Sequence, residues 1–210
     1  MIHVSKIVKS YFNRYILAPY QKRFVIPPYE EKRSILKQYA SQYHLSTFIE
    51  TGTLFGETIE AMVNDFKKLY SIELSQELFK KAQAKFLNEE KVTILQGDSG
   101  KVLKEILQQV NAPCLFWLDG HYSSKFMHEG ELIVTAKTDT NTPILQELKC
   151  IMEHPIKNHV ILIDDARCFG VVPDYPKISE LKNFLFKHNP ALKVSVKRDI
   201  IRIEPALSKV

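Results

Sequence analysis

Phe48-Ile49-Glu50-Thr51-Gly52-Thr53-Leu54-Phe55-Gly56-Glu57-Thr58 reads as a buried strand that runs into a glycine turn and then a helix. Gly52 and Gly56 permit a tight turn and close approach of backbone to a ligand. The following Thr58-Ile59-Glu60-Ala61-Met62-Val63 sets a helix N-terminus against that ligand. The dinucleotide fingerprint Gly-x-Gly-x-x-Gly is not what stands here. The two glycines are four positions apart, and Glu50 comes two residues before the first. That spacing is poor for a pyrophosphate. It suits a ligand without phosphate whose positive amine is met by the carboxylate at the strand end.

Outward from this stretch, apolar runs alternate with helical patterns. Strands are predicted over 47–50, 69–72, 92–95, 114–118 and 160–163, with helices over 57–66, 76–86 and 101–109 between the first four. Ser75 is placed to cap the second of these helices. A long loop is expected from Gly120 to Asn141, and Pro143 opens a helix to about residue 152. Residues 178–187 read as helical, and 192–196 and 200–203 as two strands joined tightly enough to be antiparallel. The expected fold is α/β and Rossmann-like: a seven-stranded, mostly parallel sheet with helices on both faces, an antiparallel closing strand and N-terminal helices. Residues 1–45 form the N-terminal helical part in this reading, and 46–210 the ligand-binding domain.

Length and composition agree with a single core, since 210 residues are 45% hydrophobic. No apolar run is long enough to span a bilayer. Cys114, Cys150 and Cys168 show no paired spacing and read as reduced thiols of a cytoplasmic protein. The net charge of +5 is concentrated: Lys6, Lys9, Arg14, Lys22, Arg23, Lys32 and Arg33 face only Glu30 and Glu31, leaving the rest of the chain neutral. Nucleic-acid binding by the main body is therefore excluded as an expectation. Val4, Ile7, Val8, Tyr11 and Tyr15 share one helical face opposite Lys6, Lys9, Ser10, Asn13 and Arg14. Over residues 3–17 this basic amphipathic helix admits two readings. It packs on its own domain or on a second subunit of a homo-oligomer, or it lies on an anionic membrane surface at the inner face.

Five successive strands end in acids: Glu50, Glu73, Asp98, Asp119 and the pair Asp164-Asp165. In open α/β sheets ligands sit beyond those ends, so the acids should line one rim. S-adenosylmethionine has the character the rim asks for, an amine and a sulfonium but no phosphate. Glu73 suits its ribose hydroxyls, and Asp98 with Ser99 its adenine edge, although Asp98 equally suits capping the next helix. Glu50 either reaches the amino acid end or braces the glycine turn. Asp119, Asp164 and Asp165 offer three hard oxygen ligands for a divalent ion such as Mg²⁺. The alternative has Asp164 capping a turn and Asp165 pairing with Arg167. His121, two residues after Asp119, is a candidate general base. Tyr122 and His128 compete for that role, whereas His44, His154, His159 and His188 read as surface or element-end residues.

Glu50-Thr51-Gly52-Thr53-Leu54-Phe55-Gly56, Glu73 and Gly97-Asp98-Ser99 together resemble the class I S-adenosylmethionine-dependent methyltransferases over about residues 46 to 204. Asp119 with Asp164 and Asp165 is similar to the metal triad of the catechol and macrolide-sugar O-methyltransferases. The stretches Phe116-Trp117-Leu118-Asp119-Gly120-His121-Tyr122-Ser123, Thr142-Pro143-Ile144-Leu145-Gln146-Glu147-Leu148 and Ile161-Leu162-Ile163-Asp164-Asp165-Ala166-Arg167 look like a bacterial branch of small methyltransferases. Two residues depart from the catechol pattern: Tyr122 stands where those enzymes carry a lysine base, and Asp165 where they commonly carry asparagine. The resemblance implies a methyltransferase whose cofactor contacts are Glu50, Thr51, Gly52, Thr53, Gly56, Thr58, Glu73, Asp98, Ser99 and Asp119. It further implies Mg²⁺ on Asp119, Asp164 and Asp165, with Asp119 in the catalytic site. The acceptor does not carry over from the catechol enzymes, and a sugar, glycan or small diol is expected because vicinal oxygens suit a chelated ion. His121 beside Asp119 reads either as the catalytic base or as a structural hydrogen bond. Two rivals are a non-catalytic nucleotide-binding or scaffold protein of the same fold, and an NAD-dependent oxidoreductase, which the glycine spacing disfavours.

Overall fold

The computed structural model describes residues 24–122, 125–128, 131–137 and 139–206, so the amphipathic segment 3–17 lies outside the described residues. Helix α1 (Tyr29–Gln42) starts directly after Pro28 and carries Glu30 and Glu31 in its first turn, where negative charge suits the helix dipole. Then β1 (Thr47–Thr51) leads to α2 (Glu57–Met62), β2 (Lys68–Glu73) to α3 (Gln76–Lys85), and β3 (Val92–Gln96) to α4 (Ser99–Leu107). After β4 (Leu115–Leu118) come a hairpin, β5 (Lys125–His128) and β6 (Glu131–Val134), then α5 (Ile144–Glu153) and β7 (Val160–Ile163). A 3-10 turn (Ala166–Cys168), α6 (Ile178–His188), β8 (Lys193–Lys197) and β9 (Ile200–Glu204) complete the described chain.

Seven strands form one sheet in the order β3-β2-β1-β4-β7-β9-β8. The first five pair in parallel, and β9 runs antiparallel to both β7 and β8. This is the mostly parallel sheet with an antiparallel closing strand that the sequence predicts. Chain order reverses between β1 and β4, where such sheets open a crevice. The register aligns the strand ends there: Thr51 pairs with Ile72 and Leu118, and Leu118 with Ile163. Gly52, Glu73, Asp119 and Asp164 therefore leave their strands at one level.

Strict alternation builds a core on each face of the sheet. Ile49, Phe116, Leu118, Ile161 and Ile163 pack with Leu103, Leu148 and Leu181 on one side. Phe48, Leu115, Trp117, Val160 and Leu162 pack with Leu36, Ile59 and Met62 on the other. Helix α1 belongs to this second layer, and Tyr43 and Arg198 fasten it to the antiparallel edge through Glu204 (2.7 Å) and Glu31 respectively.

Two findings differ from the sequence reading. The stretch from Gly120 to Asn141, expected as one long loop, contains the β5–β6 hairpin, paired from Lys125↔Val134 to His128↔Glu131. These runs pair only with each other and are too short for alternation to register. Its base is closed where Tyr122 N donates to Asn141 O (3.0 Å), and Asn141 is pinned through its N and Nδ2 to Asp174 Oδ2 (2.8 and 2.9 Å). Second, His154 and His159 stand at element ends but are buried. Cys114 N donates to His159 Nδ1 (3.1 Å), so His159 Nε2–H donates to His154 Nδ1 (2.9 Å) and His154 Nε2–H to Leu107 O (3.0 Å). Both rings are neutral in that chain. Burial, with His154 and Lys157 adding, lowers His159 to about 4.

Candidate active site

The strand ends open into a cavity of about 610 Å³. At its floor Gly52 has φ +85°, and a Cβ there would stand 2.7 Å from Asp119 O. Glycine is what lets the end of β1 lie against the end of β4. Beneath the turn, Ser71 Oγ donates to Glu50 Oε2 (2.7 Å), so Thr53 Oγ1 donates in turn to Ser71 Oγ (2.6 Å). Glu50 is 2% exposed. Burial pushes its carboxyl up to about 8, with the Asp119 charge adding and the Ser71 and Thr58 hydrogen bonds opposing. Glu73 receives Leu54 N and Ser75 N, one on each oxygen, both at 2.8 Å. Burial raises Glu73 against those backbone hydrogen bonds. Asp98 caps α4 by accepting from Gly100 N (3.0 Å) and still lines the cavity.

Of the positions expected to hold a cofactor, Gly52, Thr53, Thr58, Glu73, Asp98, Ser99 and Asp119 line this cavity. Glu50, Thr51 and Gly56 stand behind it. Thr51 Oγ1 accepts from Gly120 N (3.2 Å), and Gly56 (φ +70°) abuts the Phe86 ring, which a Cβ would meet at 2.6 Å.

Asp119, Asp164 and Asp165 line the same cavity beside His121. His121 bridges two of them, Nδ1 to Asp119 Oδ1 at 3.2 Å and Nε2 to Asp165 Oδ2 at 3.1 Å. Both ring nitrogens face carboxylates, which favours the doubly protonated ring. Burial works against that charge, but the Asp119 hydrogen bond and the charges of Asp119, Asp165 and Asp164 raise His121 to about 9. One oxygen each of Asp119 and Asp165 and a ring nitrogen of His121 lie within 4.8 Å of one another. Asp165 Oδ1 accepts from Arg167 (2.6 Å), which also reaches Asp199 at the β8–β9 turn. Asp165 itself takes φ +56°, a left-handed conformation that turns it out of line with Asp164. Asp164 Oδ2 accepts from Lys32, and its Oδ1 is buried without a hydrogen-bond partner. Burial raises Asp164, with Asp119 adding and Lys32 opposing, while Lys32 is raised by the three carboxylates against its own burial. Both groups are raised, and the geometry that joins them is the Lys32 ammonium donating to Asp164 Oδ2.

Two site residues escape the sequence reading. Glu147 on α5 is 1% exposed, accepts from Ser99 Oγ (2.6 Å), and is pushed to about 7 by burial, with Ser99 and Thr51 opposing. Its signal was present: it interrupts the apolar stripe Ile144, Leu148 and Ile151. Lys32 left none, since its partner lies 132 positions away.

No family model and no curated protein matches the chain. Among solved structures, the O-methyltransferase TomG of Streptomyces achromogenes, bound to S-adenosylmethionine, superposes with a TM-score of 0.58 at 12% identity, over 86% of this chain and 82% of that one. The chain has the class I methyltransferase fold. A Bacillus cereus O-methyltransferase in complex with S-adenosylhomocysteine shares it at TM-score 0.55 and 12% identity, over 95% and 97% of the two chains. So does the N-methyltransferase NodS of Bradyrhizobium japonicum, at 0.52 and 15%, over 84% and 95%. Within the methyltransferase fold, then, the atom that receives the methyl group is decided by the site and not by the architecture.

Proposed function

We propose that this chain is an S-adenosylmethionine-dependent O-methyltransferase acting on a hydroxyl of a sugar, a glycan or a small diol. One observation carries the reading: the Gly52 turn, Glu73 and Asp98 share a single cavity with Asp119, Asp164 and Asp165. The first group meets the amino acid end, the ribose hydroxyls and the adenine edge of the cofactor. The second lies where an acceptor would be held. Tyr29, Tyr122 and Asn141 line the same space. Ring faces beside C–H bonds and carboxylates beside hydroxyls suit a polyhydroxylic acceptor.

In the reaction the acceptor oxygen attacks the methyl carbon, the carbon–sulfur bond breaks, and S-adenosylhomocysteine leaves with the electron pair. The acceptor proton passes to a base. Holding the two reactants in line supplies much of the acceleration, on the order of 7–11 kcal/mol. His121 is the side chain placed to take the proton, once it has lost one of its own. The donor set fits a divalent ion, because Asp119, His121 and Asp165 converge within 4.8 Å and Asp164, outside that group, offers a buried, unpartnered Oδ1 to the same cavity. Asp119, Asp164 and Asp165 would hold Mg²⁺, which when bound lowers the pKa of a chelated hydroxyl.

Thermal-shift measurements with S-adenosylmethionine, S-adenosylhomocysteine and NAD test the cofactor assignment. Stabilisation by the first two and not by NAD is expected, and Asp98→Ala should weaken it. A shift with NAD alone would refute the assignment. Cofactor binding without consumption across sugar and diol acceptors would favour a non-catalytic binding protein.

A further inference from the structure

Lys32 reaches the acceptor half of the cavity from the first turn of α1 and donates to Asp164. The pair is nearly dry, with side-chain exposures of 12% and 3%. An ion pair retained only for stability at such a place should satisfy the remaining acceptor positions of its carboxylate. This one does not: Asp164 Oδ1 is buried and accepts from nothing. The neighbouring acids are bound into a separate chain in which His121 joins Asp119 to Asp165, and Arg167 joins Asp165 to Asp199. Asp164 is thus served by a single ammonium on one oxygen, at the place where a multivalent ligand would use both.

We propose that Lys32 is an intramolecular occupant of the divalent-ion position, holding Asp164 until an ion displaces it. The inference rests on the reading of Asp119, Asp164 and Asp165 as ion ligands. A divalent cation drawing on both oxygens of Asp164 meets the Lys32 ammonium already on Oδ2, and the like charges repel at that range, so the two compete. Lys32 keeps the carboxylate paired in the ion-free protein and weakens ion binding by the fraction of time it is in place. A site vacated by its occupant a tenth of the time binds about tenfold more weakly than one always open.

Calorimetric titration of the full chain with MgCl₂ tests the competition, comparing the parent with Lys32→Gln and Arg33→Gln. Arg33 is the next residue of α1 and pairs with Glu57 at 3.2 Å, so its variant removes the same charge without touching Asp164. Lys32→Gln should bind Mg²⁺ about tenfold more tightly than the parent, and Arg33→Gln within about twofold of it, as expected for a screened surface charge. Without Mg²⁺, Lys32→Gln should melt below the parent because it leaves Asp164 unpaired, and Mg²⁺ should restore the difference. If the glutamine variant does not fold, Lys32→Met, an unbranched side chain without the charge, replaces it. Parent and Lys32 variant binding Mg²⁺ equally would overturn the competition and leave the ion site standing. An equal gain in Arg33→Gln would reassign the effect to long-range charge and overturn it too. No binding by any of them would remove the ion site and the competition together.

Discussion

At Gly52 a positive φ and the Asp119 carbonyl act together: an alanine there must accept a left-handed backbone and push β4 away. Gly52→Ala should cost about 1–3 kcal/mol, and the displaced turn should weaken S-adenosylmethionine binding measurably by calorimetry. Unchanged melting and affinity would mean that the turn is not held against β4. His121 offers a second test. Its bridge between Asp119 and Asp165 predicts a ring that titrates near 9 by NMR in the metal-free protein, and Asp119→Asn should lower that value. A ring that acts as base only after losing its proton gives turnover that rises with pH. Titration of the parent near 6.5 would dissolve the bridge. Glu50 bears on stability. Its folded pKa lies above its ordinary 4.5, at about 8, so the folded state binds more protons between those values and loses stability as pH rises. Glu50→Gln removes that loss, and its melting temperature relative to the parent should climb from about pH 5 to about pH 8. A constant offset would place the carboxyl in contact with water.

Among the elements, α1 joins the two themes of packing and chemistry. Leu36 at 1% exposure seats it on the sheet, while Lys32 from its first turn enters the cavity. Leu36→Ala should destabilise the protein by about 2–5 kcal/mol in urea denaturation. A loss near zero would show that α1 is not part of the cooperative unit. Sequence made the helix itself legible, as it did the five parallel strands, because buried parallel strands are continuous apolar runs and each here ends in an acid. The acidic rim was legible for the same reason. Where α1 docks was not, since Lys32–Asp164, Glu31–Arg198 and Tyr43–Glu204 join residues far apart in the chain. The hairpin was missed because four-residue strands carry too little alternation to rise above a loop. Glu147 was overlooked although a carboxylate inside an apolar helical stripe marks a buried partner, here Ser99.

Across the whole molecule, the two cores meet at the sheet, and the histidine chain ties the far end of that sheet together, away from the strand ends that carry the acids. It joins the start of β4, the end of α4, the end of α5 and the approach to β7 through Cys114, Leu107, His154 and His159. Every member is neutral, so the chain survives only while His159 stays unprotonated. Its folded pKa of about 4 lies below the ordinary 6.5, so the unfolded state binds more protons in between. Stability from this group is full above about 6.5 and is lost as pH falls toward 4, by up to about 3 kcal/mol. Glu50 and Glu147 act in the opposite sense above their ordinary 4.5, so the total profile blends the two. The difference between parent and His159→Asn isolates the histidine. The variant keeps an acceptor for Cys114 N but loses the reach to His154, and should be less stable at pH 7 by about 1–3 kcal/mol. Denaturant titrations from pH 7 to pH 4 should then bring the two proteins together, because only the parent has the histidine contribution to lose. Parallel curves across that range would mean that His159 is already charged, or already wet, in the folded protein.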